Sequence, residues 1–184
     1  MTEHPNWLLI GAAGRNAGKT TLACELIARH QPIAAVKVTV VQPGIRECPR
    51  GGEGSGVCSS LGRTPFWLRT EINPGGSKDT SRLLAAGASP VLWLCTRADA
   101  FPEALAAILP LIPPSRPVIV ESNSLRHHLT PSLFLMVRHT DDPSIKPSAS
   151  AVLSYVDRTV RSDGAEFDLD LDDVVFENGV WRLT

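Results

Sequence analysis

The run Ala13-Gly14-Arg15-Asn16-Ala17-Gly18-Lys19-Thr20-Thr21 combines small residues, an ammonium group and two hydroxyls in a spacing suited to gripping a phosphorylated anion. Small residues let backbone N–H groups turn inward around phosphate oxygens, and a helix starting at Lys19 would aim its positive end at the same charge. Lys19 adds a full charge for the outer phosphates, and the Thr20 hydroxyl is a ligand for Mg²⁺. Ala13 stands where the usual P-loop, or Walker A, pattern has its first glycine. The plain alternative is a tight turn at Gly14 and Gly18 with Lys19 in water. The setting disfavours it, because the apolar run Trp7-Leu8-Leu9-Ile10 precedes the loop and an amphipathic stretch follows.

Three further polar residues follow apolar runs, where ligands of an open α/β sheet gather beyond the carboxyl ends of the strands. Lys37 interrupts Ala34-Ala35-Val36-Lys37-Val38-Thr39, Asp79 opens a helical segment, and Glu121 closes Val118-Ile119-Val120. Singly, each has a bland reading as a strand-edge lysine, a helix-start acid or the first residue of a loop. Jointly with Thr20 they supply what phosphoryl chemistry needs: two carboxylates and a hydroxyl to position magnesium, and two lysines against phosphate charge. The expected assignments are Lys19, Lys37 and Glu121 as catalytic groups and Thr20, Asp79 and Glu121 as metal ligands. Gly14, Arg15, Asn16, Ala17, Gly18, Lys19, Thr20 and Thr21 are expected to hold nucleotide.

The elements that must position these groups follow from periodicity. Trp7–Ile10 reads as a buried strand and 19–29 as a helix with Leu22, Ala23, Leu26 and Ile27 on one face. Residues 33–41 form a second strand. From 42 to 77 the pattern dissolves into Gly, Pro, Ser and Arg, predicting one long loop beside the phosphate site, a candidate substrate lid. Then come a helix over 78–87, a strand over 90–95, a helix over 101–111 and strands over 117–121 and 132–138. A helix from Pro147 to about Tyr155 leads into a strand over 156–160. The acidic run 166–173, alternating with Phe167, Leu169 and Leu171, reads as the solvated face of a terminal strand. Two short β runs around Asn178-Gly179 predict a C-terminal hairpin that pairs across an interface or caps its own sheet. Alternating strands and helices imply a mainly parallel sheet with helices on both faces, in one domain spanning 1–184.

Composition bounds the function. With 184 residues, 43% apolar, 20% charged and a formal net charge of -1, the chain fits one globular core. The same charge balance argues against nucleic acid as a partner. No apolar stretch reaches the roughly 20 residues of a membrane span and no signal peptide is visible, so the expected location is the cytoplasm. Cys24 and Cys95 read as core. Cys48 and Cys58 are too widely spaced for a common zinc or iron–sulfur pair and read as free thiols, with a metal or redox sensor as the weaker alternative. His127 and His128 read as exposed loop residues rather than ligands.

With these residues in place, the chain resembles the MobB family, small GTP-binding proteins associated with molybdopterin guanine dinucleotide biosynthesis. The resemblance rests on the 14–21 loop, Ala35-Val36-Lys37, Val118-Ile119-Val120-Glu121, and above all Lys78-Asp79-Thr80-Ser81-Arg82-Leu83-Leu84-Ala85-Ala86-Gly87-Ala88. It departs where MobB proteins follow the strand lysine with His-Thr-His-His and carry Glu-Gly-Phe; here Val38-Thr39-Val40-Val41 and Glu121-Ser122-Asn123-Ser124 stand instead. A similar layout occurs in dethiobiotin synthetase, whose family implies a strand lysine for substrate and phosphate and an Asp and a Glu on magnesium. The resemblance implies a three-layer P-loop NTPase fold, binding and slow hydrolysis of GTP or ATP with Mg²⁺, cofactor-biosynthesis proteins as partners, and room for a homodimer. The alternative is a small-molecule kinase or ATP-dependent ligase. No Asn-Lys-x-Asp motif decides the base; the segment 161–164 is the place where the base would be met.

Overall fold

The computed structural model describes residues 1–41, 61 and 64–184. Its centre is a sheet in the order β3-β4-β2-β5-β1-β6-β7, built from β3 (Phe66–Thr70), β4 (Val91–Arg97), β2 (Ala34–Val41), β5 (Val118–Glu121), β1 (Thr2–Ala12), β6 (Leu129–His139) and β7 (Arg158–Ser162). All pairings are parallel except that of β3 with β4. The strands read as near-continuous apolar runs because both faces are covered. Leu8 and Ile10 of β1 join one core with Leu22, Ala23, Leu26 and Ile27 of α1 (Lys19–Arg29) and Leu83 of α2 (Asp79–Ala85). Trp7 and Leu9 face a second core with Phe101, Ala104 and Ile108 of α3 (Phe101–Ile108) and Ala149 of α4 (Pro147–Ser150).

Several expectations need correction. The 42–77 segment is not one loop: it contains β3, whose Phe66-Trp67-Leu68 pack on β4 and whose β-favouring side chains were masked in the sequence by Gly, Pro and Arg on either side. The stretch after it is tied down as well. Glu71 accepts hydrogen bonds from the amides of Ile72 and Asn73 through Oε1, both at 3.1 Å, and from the Thr80 hydroxyl through Oε2 at 2.7 Å, which fixes the start of α2. The remainder of that candidate lid, with Cys48 and Cys58, lies outside the described residues. The helix expected over 101–111 changes to a 3₁₀ turn at Leu109–Leu111, where Pro110 has no N–H to continue the ladder. The one expected from Pro147 to Tyr155 is α-helical only to Ser150, with a 3₁₀ turn at Leu153–Tyr155, and β7 starts two residues later than expected.

The acidic run is not a strand. It contains a single bridge, Ser162 to Phe167, and a 3₁₀ turn at Leu171–Asp173, although Phe167, Leu169 and Leu171 do pack inward on the α1 core. Cys95 is buried as expected, while Cys24 is only half-buried. The hairpin of β8 (Val174–Glu177) and β9 (Val180–Leu183) forms its own two-stranded sheet and caps the molecule's own core through Trp181. The Trp181 indole donates to the Asn6 carbonyl at 3.0 Å, and its ring meets His30 edge-on. No helix among the described residues is long and apolar enough to cross a membrane.

Candidate functional site

The site forms at the carboxyl ends of β1, β2 and β5, where β5 intervenes between strands consecutive in the chain. The glycine loop between β1 and α1 is held by a full set of backbone partners. Ala12 donates its amide to Asn123 Oδ1 at 2.9 Å and accepts from Asn123 Nδ2 at 3.1 Å. Ala13 donates to the Val137 carbonyl at 2.8 Å and accepts from the Lys146 amide at 2.9 Å. Every polar group at the loop's entry is thereby spent on scaffold, which leaves the amides farther along for a ligand. Asn16 at φ 53° and Gly18 at φ 91° take left-handed conformations, which curl the chain before α1 begins. A side chain at Gly11 would collide with Asn123 Oδ1, 2.7 Å from the position of its Cβ.

Lys37 and Glu121 are in register on neighbouring strands, so both side chains leave the sheet on the α1 face. Glu121 is fully buried, and its Oε2 accepts from Lys37 Nζ at 2.7 Å and Lys19 Nζ at 3.2 Å. Lys37 Nζ also lies 2.5 Å from Asp79 Oδ2 at the start of α2. Lys19, Lys37, Asp79 and Glu121 are thus one network drawn from four elements. Burial pushes the Glu121 carboxyl up, but Lys19 and Lys37 together outweigh it, with the Thr20 hydroxyl assisting, and the pKa is pulled down to about 2. Burial lowers the pKa of Lys19, with Lys37 adding to the effect and Glu121 opposing it.

One atom in this network is left over. Glu121 Oε1 is buried and has no hydrogen-bond partner, although Thr20 contacts the same carboxylate. A buried carboxylate oxygen without a donor is costly, and a cation or an ordered water completing it fits the chemistry of the donor set. Among the described residues no cluster of three or more His, Cys, Asp or Glu side chains gathers. Magnesium does not require one, since it keeps waters and shares its shell with phosphate oxygens.

The other expected residues take varied places. The Thr21 hydroxyl accepts from Arg82 of α2 at 3.2 Å, and Arg15 and Asn16 are exposed. Gly18 approaches the end of β7: an added Cβ would stand 3.0 Å from Ser162 Oγ. The 161–164 segment therefore borders the glycine loop. His128 stacks on Phe101 at 4.2 Å between ring centroids, a packing role. Sequence reading passed over Asn123, Glu71 and Lys146. A lone amide two residues past a strand, an acid before Asn-Pro-Gly and a lysine before Pro carry no local signature, and only the tertiary fold shows what they hold.

No family model, curated protein or solved structure matches the chain. The case for a function therefore rests on this geometry and on the resemblance drawn from the sequence.

Proposed function

We propose that the chain is a P-loop protein that binds a purine nucleoside triphosphate, GTP or ATP, with magnesium at the Ala13–Thr21 loop and hydrolyses it slowly. The observation that carries this reading is the Glu121 carboxylate. It is buried, ionised and pinned by Lys19 and Lys37 through one oxygen, with the other oxygen unpartnered on a carboxylate that Thr20 also contacts. Thr20, Glu121 and Asp79 are the residues that would hold magnesium, which supplies charge neutralisation on the phosphates. The loop amides and the start of α1 bind the phosphate oxygens, Lys19 lies against the outer phosphates, and Glu121 orients the ammonium groups. The MobB resemblance supports a role as a nucleotide-dependent adaptor in molybdopterin guanine dinucleotide biosynthesis. Such a role requires basal turnover well below the roughly 10 s⁻¹ typical of enzymes.

A second reading, a small-molecule kinase or ligase, is favoured by one feature. Lys37 is nearly buried between Glu121 and Asp79 and lies in register with Trp93 and Glu121 on the flanking strands. In that reading Lys37→Ala abolishes product formation while sparing nucleotide affinity.

Thermal unfolding with Mg²⁺ and ATP, GTP or their diphosphates tests the shared core of both readings. A ligand at about 100 times its Kd adds roughly 2.7 kcal/mol of stability. A melting shift for one purine triphosphate that vanishes in Lys19→Ala is the expected result. No shift with either triphosphate contradicts the proposal.

A further inference from the structure

We propose that Lys146, from the segment between β6 and α4, is a further phosphate-binding residue of this site, reaching the terminal phosphate so that the site separates triphosphate from diphosphate. The inference rests on the nucleotide reading above but concerns a residue outside the loop and the strand-end network. Its geometry starts from the backbone: the Lys146 amide donates to the Ala13 carbonyl at 2.9 Å, seating this segment on the glycine loop. The seat is close. A Cβ on Gly14 would lie 2.9 Å from Asp142 Oδ2 and 3.8 Å from Ser144 Oγ, so the loop needs glycine there to admit its neighbour.

The Lys146 side chain is half-buried, and among the described residues no carboxylate lies within ion-pair reach of its ammonium. Burial holds its pKa low, and the ammonium groups of Lys19 and Lys37, then the guanidinium of Arg15, act in the same direction. Asp142, the nearest acid on the same segment, is engaged by the Ser144 amide at 2.9 Å and by the Ser144 hydroxyl. Glu121 is already shared by Lys19 and Lys37, and Asp79 is paired with Lys37. Lys146 thus adds a third ammonium to the two that already use these carboxylates, with no carboxylate of its own, and the arrangement is favourable once an anion of several charges joins it. Seated on Ala13 by its backbone and half-buried beside the loop, Lys146 is placed to meet an anion gripped there, and its ammonium acts on those of Lys19 and Lys37, the groups assigned to the outer phosphates.

Calorimetric titration of Mg–triphosphate and Mg–diphosphate into the full chain, Lys146→Met and Lys146→Arg decides the matter. The bond to Ala13 uses the Lys146 backbone, so the variants keep it, and matching unfolding curves without nucleotide check the fold. Triphosphate affinity is expected to fall about 10- to 100-fold in Lys146→Met, the scale of one charge-assisted hydrogen bond, with diphosphate affinity changing less than about threefold. Lys146→Arg should recover most of the loss. Equal losses for both nucleotides, or no loss in Lys146→Met while the wild type binds, overturn the assignment. Absence of binding by the wild type contradicts the nucleotide reading itself, a separately visible result.

Discussion

Glu121 decides how the centre behaves with pH and substitution. Its folded-state pKa of about 2 lies below the ordinary 4.5, so its ionised form contributes stability above about pH 4.5 that is lost as pH falls towards 2. In Glu121→Gln this component disappears, and the gap in unfolding free energy between wild type and variant should narrow through that window. At neutral pH the variant leaves Lys37 and Lys19 without the carboxylate they share, a loss on the order of 3–5 kcal/mol for a broken buried pair. Urea unfolding at a series of pH values measures both. A gap that is constant from pH 7 to 2.5 would show that the carboxylate is not held ionised by its two lysines.

Among the elements, the glycine loop depends on Asn123, two residues past β5, as much as on its own residues. Asn123→Ala removes both side-chain bonds to Ala12, strands a buried amide and a carbonyl, and should cost about 2–4 kcal/mol. It should also weaken triphosphate binding, because the loop's entry is no longer fixed. Wild-type stability and affinity in this variant would mean that the Val137 and Lys146 bonds hold the loop unaided. The loop, α1 and the positions of Lys37, Asp79 and Glu121 were legible in the sequence because each interrupts or borders an apolar run with a clear period. What holds them was not: Asn123, Glu71 and Lys146 act through partners at sequence distances of 111, 9 and 133 residues, or through single hydrogen bonds with no periodicity. β3 was hidden for a related reason, since a five-residue edge strand flanked by turn formers looks like loop until β4 pairs with it. The acidic run misled in the opposite direction. Its alternation marks inward Phe167, Leu169 and Leu171, but the chain reaches them by turns rather than by strand pairing.

For the molecule as a whole, the C-terminal hairpin packs on the chain's own core. Trp181 is buried in the α1 core, its indole bonded to Asn6 and its amide to Ser132 at 3.0 Å, so the hairpin closes the face on which α1 and the glycine loop sit. Trp181→Ala should cost about 3–5 kcal/mol in equilibrium unfolding, the range of a deleted core aromatic. An effect under about 1 kcal/mol would show that the hairpin is dispensable packing. The sheet and its two helical layers present at one end a curled loop, a buried ionised carboxylate with an unpartnered oxygen, and converging ammonium groups. Whether this end grips a nucleotide is read by calorimetric titration of Mg–ATP and Mg–GTP into the wild type and Lys19→Ala. Saturable binding of one triphosphate per chain that requires magnesium and is lost in Lys19→Ala is the expected result; binding that is absent, or that survives without both magnesium and Lys19, would rule out a nucleotide site there.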